Sequence, residues 1–258
     1  MFVDSHCHLN YAGLVEDQEA VIARARAAGV TTMLNISTRQ REWDDVVGVA
    51  ERHSDIWATI GIHPHEADLH PDVQAETLAT KAAHPKVIGI GETGLDYYYD
   101  HSDRGRQRDS FRAHIAASRE TRLPLIVHTR DAEEDTLAIL DEEMGKGAFP
   151  AVIHCFTGTA AFAGRVLDMG LSISISGIVT FKNARDLQAT ARNIPLDRLL
   201  IETDSPFLAP VPHRGKACEP AFVADTARFL AGLREEALET LAEATSDNFY
   251  RLFTKAAA

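Results

Sequence analysis

The sequence predicts an α/β fold, one closed (β/α)8 barrel, on three observations. Short runs rich in β-branched and other apolar residues alternate with longer stretches of helical period, and the alternation continues to the C-terminus. Eight such runs occur, the strand count of one barrel, and strand–helix alternation favours parallel pairing. Polar residues recur at the ends of many different strands, which favours a closed barrel over an open sheet. No Gly/Ser or Pro-rich linker, low-complexity tract or internal repeat interrupts the pattern, so residues 1–258 are read as one domain.

The first strand is expected at about 2–8, in "MFVDSHCHL". Strict alternation along it would place Asp4, His6 and His8 on one face and Ser5, Cys7 and Leu9 on the other. A helix follows, with Val21, Ile22, Ala25 and Ala28 at three- and four-residue spacing and Gly29 as its stop signal. The next strands fall at about 31–37 and 56–62, the latter running into "GIHPH" with His63 and His65. The fourth, at about 87–92, ends in "IGIGE" with Glu92. The fifth, at about 124–128, ends in "LIVH" with His128, and the sixth, at about 150–155, contains "AVIH" with His154. In the seventh, at about 171–176, Ser172, Ser174 and Ser176 alternate with Leu171, Ile173 and Ile175, so the serines should face the interior; they are given no chemistry. The eighth, at about 198–204, ends in "LIETD" with Glu202 and Asp204. A last helix places Leu238, Leu241, Thr245, Phe249 and Leu252 on one stripe.

Composition limits the function classes. A chain 45% hydrophobic and 25% charged is an ordinary globular protein, and it lacks both a signal-peptide pattern and a membrane-length apolar run. Three cysteines with no C-x-x-C pair argue for packing roles in a reducing compartment, and a cytoplasmic protein is expected. The formal net charge of −12 gives no broad basic footprint for nucleic acid, so attraction to an anionic partner must be local. The chain has no phosphate-cradling G-x-x-x-x-G-K-[ST] loop, no dinucleotide fingerprint, no H-E-x-x-H pair and no calcium loop.

Barrel enzymes build their sites at the C-terminal strand ends, where this sequence gathers His6, His8, Glu92, His128, His154 and Asp204. One histidine after an apolar strand is usually a hydrogen-bonded structural residue, but five strands ending this way is a poor accident. Four imidazoles and two carboxylates exceed the needs of one tetrahedral ion and suit two divalent ions, Mg, Mn, Zn, Co or Ni. Glu92 is expected to bridge, with His6, His8 and Asp204 on one ion and His128 and His154 on the other. A water-derived hydroxide would be the nucleophile, with Asp204 taking its proton, so Asp204 and Glu92 are the expected catalytic residues. Two ions less two carboxylates leave a positive site, which suits a phosphodiester better than a neutral amide. His63, His65, Arg130 and Arg214 are substrate-side candidates, with His213 and Lys216 beside Arg214 in "HRGK". Tyr97, Tyr98 and Tyr99 either stack bases or pack an ordered loop. Asp4 and Glu202 are expected behind the ligands, orienting imidazole rings.

Together these motifs resemble the TatD family of metal-dependent hydrolases, a branch of the amidohydrolase-like TIM barrels. "DSHCHL", "GIHPH", "GETGLDYYY", "VHTRDA", "HCFTG", "SGIVTFKNA", "ETDSPFLAPVPHRGK" and "EPAFV" stand in the family's order across nearly the whole chain, with wording similar to the bacterial YcfH-like subgroup. The resemblance implies a TIM barrel, two divalent metals and hydrolysis of DNA, typically from the 3′ end. By it the same six residues match the metal positions, and His63 and His65 the substrate-side histidines. The chain reads "RGKACEP", with Cys218, where many members have Asn before Glu. The partners expected are DNA ends, with no membrane and no obligate protein partner. A rival reading keeps the metals for a carbonyl substrate, such as a D-aminoacyl-tRNA ester, a lactone or an amide. Another is a non-catalytic scaffold, which has no chemical need for all six ligands.

Overall fold

The computed structural model describes residues 1–257. Eight parallel strands follow chain order around one sheet: β1 (Phe2–Cys7), β2 (Val30–Asn35), β3 (Ile56–Ile60), β4 (Val87–Asp96), β5 (Leu125–Arg130), β6 (Ala151–Ile153), β7 (Ser172–Ile175) and β8 (Leu199–Ile201). Between and after them lie α1 (Gln18–Ala27), α2 (Trp43–Arg52), α3 (Ala75–Ala82), α4 (Arg104–Thr121), α5 (Glu133–Lys146), α6 (Ala160–Asp168), α7 (Arg185–Asn193), α8 (Val223–Arg234) and α9 (Leu238–Leu252). The expected α1 forms with Val21, Ile22 and Ala25 buried, and Gly29 takes the left-handed conformation that ends it.

β8 returns to β1 and closes the barrel. The Asp204 N–H donates to His6 O at 2.9 Å and the His8 N–H to Ser205 O at 2.8 Å, while Cys7 and Ser205 form an isolated parallel bridge. Two apolar layers follow from strand alternation. Phe2, Met33, Val127, Ile153, Ile173 and Ile201 belong to the larger cluster, which includes the helices' buried faces. Val3, Leu34, Ile88, Ile126, Val152 and Leu200 form the smaller one with Phe249 and Phe253 from α9 and just beyond it. The aromatic side chains of that last helix thus fill the barrel at the end away from the strand C-termini.

The strands β6 and β8 are shorter than the sequence pattern suggests, because the chain leaves the ladder at His154 and Glu202. Each still donates one backbone bond to its neighbour, His154 N to Val127 O at 3.0 Å and Glu202 N to Ile175 O at 3.2 Å. β4 is longer than expected and runs on to Asp96. No helix among the described residues is long and apolar enough to cross a membrane.

One expectation fails at β1. Strict alternation would put Asp4 on the face of His6 and His8, but the β1–β2 register slips between Asp4 and Cys7. Val3 lies in the inner cluster, Ser5 reaches the Ser174 hydroxyl at 3.1 Å, and the bulge then also aims His6 at the mouth. Asp4 is therefore not behind the His6 ring. Its carboxylate accepts from the Thr203 hydroxyl at 2.6 Å, the Thr203 N–H at 2.9 Å and the His6 N–H at 3.3 Å, clasping β1 to the chain after β8. Burial pushes its carboxyl up to about 8 against those three donors.

Candidate metal centre and active site

Glu92 stands at the middle of the mouth, at a second register slip, between Ile90 and Thr93 on β4. Its two oxygens face different histidine sets. Oε2 lies 3.3 Å from His6 Nε2 and 3.9 Å from His8 Nε2. Oε1 lies 2.8 Å from His154 Nε2, 3.2 Å from His128 Nδ1 and 3.4 Å from His63 Nε2. Asp204 Oδ1 completes the first set, 3.3 Å from His8 Nε2 and 3.6 Å from His6 Nε2. All six ligands expected from the sequence, scattered from residue 6 to residue 204, are thus brought together.

The donor set fits divalent cations. The Nε2 atoms of His6 and His8 are 3.2 Å apart, and His154 Nε2 is 3.4 Å from His128 Nδ1. Buried ring nitrogens converging this closely on carboxylate oxygens need cations or shared protons between them. Donor atoms of His6, His8 and Glu92 all lie within 4.8 Å of one another, as do those of His63, Glu92 and His128. His63 is therefore placed as a candidate donor as well as a substrate-side residue.

The electrostatics follow from the crowding. Burial alone would raise the Glu92 carboxyl, yet His154 and His63, with bonds from His128 and His154, hold it well below the usual range. Asp204 is likewise lowered, with burial outweighed by its His8 contact and the field of His6. Burial would lower His154, but Glu92 and Glu202 draw it well above the ordinary imidazole value. Burial and the neighbouring His154 lower His6, and burial lowers His63 well below that value. Asp204 also has φ +55 and Cys155, beside His154, φ +44, left-handed conformations that cost energy in non-glycine residues and concentrate at functional sites.

Glu202 lies beneath the two inner rings as expected. Its Oε1 is 3.3 Å from His154 Nδ1, and the His6 and His154 rings stack at 3.9 Å. Oε2 and His6 Nδ1 have no hydrogen-bond partner, and donor atoms of His6, His154 and Glu202 lie within 4.8 Å of one another. The carboxylate thus orients the His154 ring, and His6 is held against that ring by stacking.

The site opens into a cavity of about 720 Å³ whose walls include His65, Arg130, Tyr99, Arg39, Tyr11 and Phe207. His65 and Arg130 are where the sequence suggested. Arg214 is not in that wall: its guanidinium lies 3.6 Å over the Phe181 ring, so stacking holds it to a neighbouring loop. His213 faces Asp225 at 3.0 Å and stacks on Phe222 at 3.8 Å. Tyr97 packs the loop, bonding Asp135 under the Arg104 guanidinium, while Tyr98 and Tyr99 remain about half exposed.

Two residues escaped the sequence reading. Asp96, buried on β4, accepts the Tyr98 and Tyr99 N–H groups on Oδ1, while its Oδ2 lies 3.0 Å from both His128 Nε2 and His65 Nε2. It is the orienting partner expected behind a metal-ligating histidine. The clue was present, since 92, 94 and 96 share a face of an extended strand. Arg39 was missed because nothing in its local sequence marks it. It is fixed by Glu66 at 2.9 Å and Glu42 at 3.0 Å against the cavity.

Comparisons with known proteins agree with this architecture. The TatD related DNase family model matches residues 3–254. The chain is 48% identical to the uncharacterized metal-dependent hydrolase YcfH of Escherichia coli K12, over 97% of this chain and 95% of that protein. It is 37% identical to the 3′-5′ ssDNA/RNA exonuclease TatD of Pantoea ananatis, over 97% and 98%. The crystal structure of YJJV, a TatD homologue from E. coli K12, superposes with a TM-score of 0.91 at 29% identity, covering 98% of each chain. Each of these matches spans almost the whole barrel, so the chain belongs to the TatD family and is a metal-dependent hydrolase.

Proposed function

We propose that the protein hydrolyses phosphodiester bonds at DNA ends, as a cytoplasmic 3′-end exodeoxyribonuclease using two divalent ions. The observation that carries this reading is the Glu92 carboxylate, with one oxygen toward His6 and His8 and the other toward His128 and His154. When bound, such ions polarise a phosphoryl oxygen and lower the pKa of water. His6, His8, Asp204 and Glu92 would hold one, and Glu92, His128 and His154 the other, with His63 in reach of the second. Manganese, zinc, cobalt and nickel suit so many imidazoles, and magnesium binds such a set less tightly.

The remaining work falls to side chains of this chain. Asp204 Oδ1 faces the histidines, which leaves Oδ2 to accept the proton of the attacking water, and its lowered pKa keeps it ionised for that task. His65 and Arg130 line the same wall, and there they would meet non-bridging phosphate oxygens. A cavity that combines a cationic centre with two arginines favours an anionic substrate over a neutral carbonyl. The exonuclease name of the Pantoea relative supports the same choice.

Incubation with 3′-labelled single-stranded DNA and Mn²⁺ or Mg²⁺ should release nucleotides. Asp204→Asn should cut the rate by about 10²–10⁴-fold, the usual contribution of a general base. Chelation by EDTA should abolish it. Undiminished cleavage in either case contradicts the mechanism, and faster hydrolysis of D-aminoacyl-tRNA than of DNA would assign the site to esters.

A further inference from the structure

Phe207 follows Asp204 by three residues, and its ring forms part of the cavity wall. A single exposed phenylalanine means little in itself. This one is 50% exposed beside the reaction centre, on a loop with no slack: its N–H donates to Asp204 O at 3.0 Å, and Pro206 O accepts from Cys218 N at 2.9 Å. The ring meets Tyr11 at 6.1 Å and His8 at 6.4 Å, both edge-to-face, and among the described residues no other ring lies parallel to it. Tyr99, on the far side of the mouth, differs. It stacks in parallel with His101 and has the Arg130 guanidinium 4.8 Å over it, so its neighbours already occupy it.

We propose that Phe207 is a stacking platform for an unpaired nucleobase, and that it fixes where the end of a strand sits in the site. This rests on the nucleic-acid reading above and adds a residue that positions the substrate. Every base presents a π-face, so one rigid aromatic ring rewards any sequence equally. Bases within a duplex have those faces covered by their neighbours and must unstack before using the ring, whereas a frayed or single-stranded end has them free. The position suits the chemistry as well. A base on Phe207 lies next to His8 and Asp204, holding the adjoining phosphodiester at the carboxylates without many phosphate contacts, which a chain of charge −12 does not supply.

The test compares two single-stranded oligonucleotides with the metal-loaded protein, one ordinary and one with abasic sites in its terminal nucleotides. In the unaltered protein the abasic oligonucleotide should have a KM about ten-fold higher, the scale of one base–aromatic stack. That ratio should fall to about one in Phe207→Ala and return in Phe207→Trp, with metal content and Tm recorded for each. A ratio near one in the unaltered protein, or an unchanged ratio in Phe207→Ala, overturns the platform while leaving the nuclease reading in place. Failure to cleave either oligonucleotide overturns both.

Discussion

Asp96 shows how one buried side chain can tie a metal site to its surroundings. Both of its oxygens are engaged, one by the Tyr98 and Tyr99 amides and the other by His128 and His65. Asp96→Asn keeps the shape but replaces one acceptor with a donor facing two imidazoles. It should weaken divalent-metal affinity about 10–100-fold, measured by competition with a chromophoric chelator. Unchanged affinity would reduce Asp96 to a loop anchor. His114 supports the site from outside the barrel. Its Nδ1 donates to Ser110 O at 2.7 Å and its Nε2 accepts the Ile62 N–H at 3.0 Å, next to His63. Burial lowers its pKa to about 4, so the folded state holds it neutral where the unfolded chain, near 6.5, is protonated. Its stabilising share is therefore full above about pH 6.5, falls as pH drops toward 4, and totals about 3 kcal/mol. Urea unfolding of the unaltered protein and of His114→Gln should show their difference in stability shrinking by that order between pH 7 and pH 4. A pH-independent difference contradicts the assignment.

At the scale of elements, two bulges explain where the sequence was legible and where it was not. The eight strands, the closing helix and the convergence of the six candidate ligands follow from apolar runs and their terminal polar residues. The facing of individual residues follows from alternation wherever the register is regular, as in β7 with Ser174 inward. It fails at Asp4, because alternation cannot anticipate the extra residue between Asp4 and Cys7. A comparable slip lies at Glu92. These two slips flank ligands, His6 and Glu92, and there the backbone re-aims a side chain; the slips at Phe2–Val3 and Ala58–Thr59 lie away from the site. Arg214 was illegible for another reason: its partner, Phe181, is distant in sequence. Close backbone approach makes a further demand. A Cβ at Gly61 would collide with the Gly91 backbone, and one at Gly94, where φ is +135, with the His128 carbonyl. Gly94→Ala must push β4 from β5 at His128. It should cost at least about 2–3 kcal/mol, lowering Tm by about 5–10 °C, and should also reduce metal affinity. An unshifted Tm would mean that the strands separate freely there.

For the molecule as a whole, a net charge of −12 accompanies a site that two divalent ions would make positive. Among the described residues only Arg39 and Arg130 bring guanidinium groups to the cavity wall, and Arg39 is already paired with Glu66 and Glu42. So few phosphate contacts predict a shallow salt dependence, with log KM for single-stranded DNA rising against log salt with a slope of about 1–2. A much steeper slope would reveal a basic surface elsewhere. The central claim is that folding makes Glu92 the shared wall of two cation sites. Anomalous difference maps from crystals grown with Mn²⁺ test it most directly. Two peaks are predicted, one on each Glu92 oxygen, the first also touching His6, His8 and Asp204 and the second His128 and His154. A single peak, or peaks that leave Glu92 untouched, would contradict it.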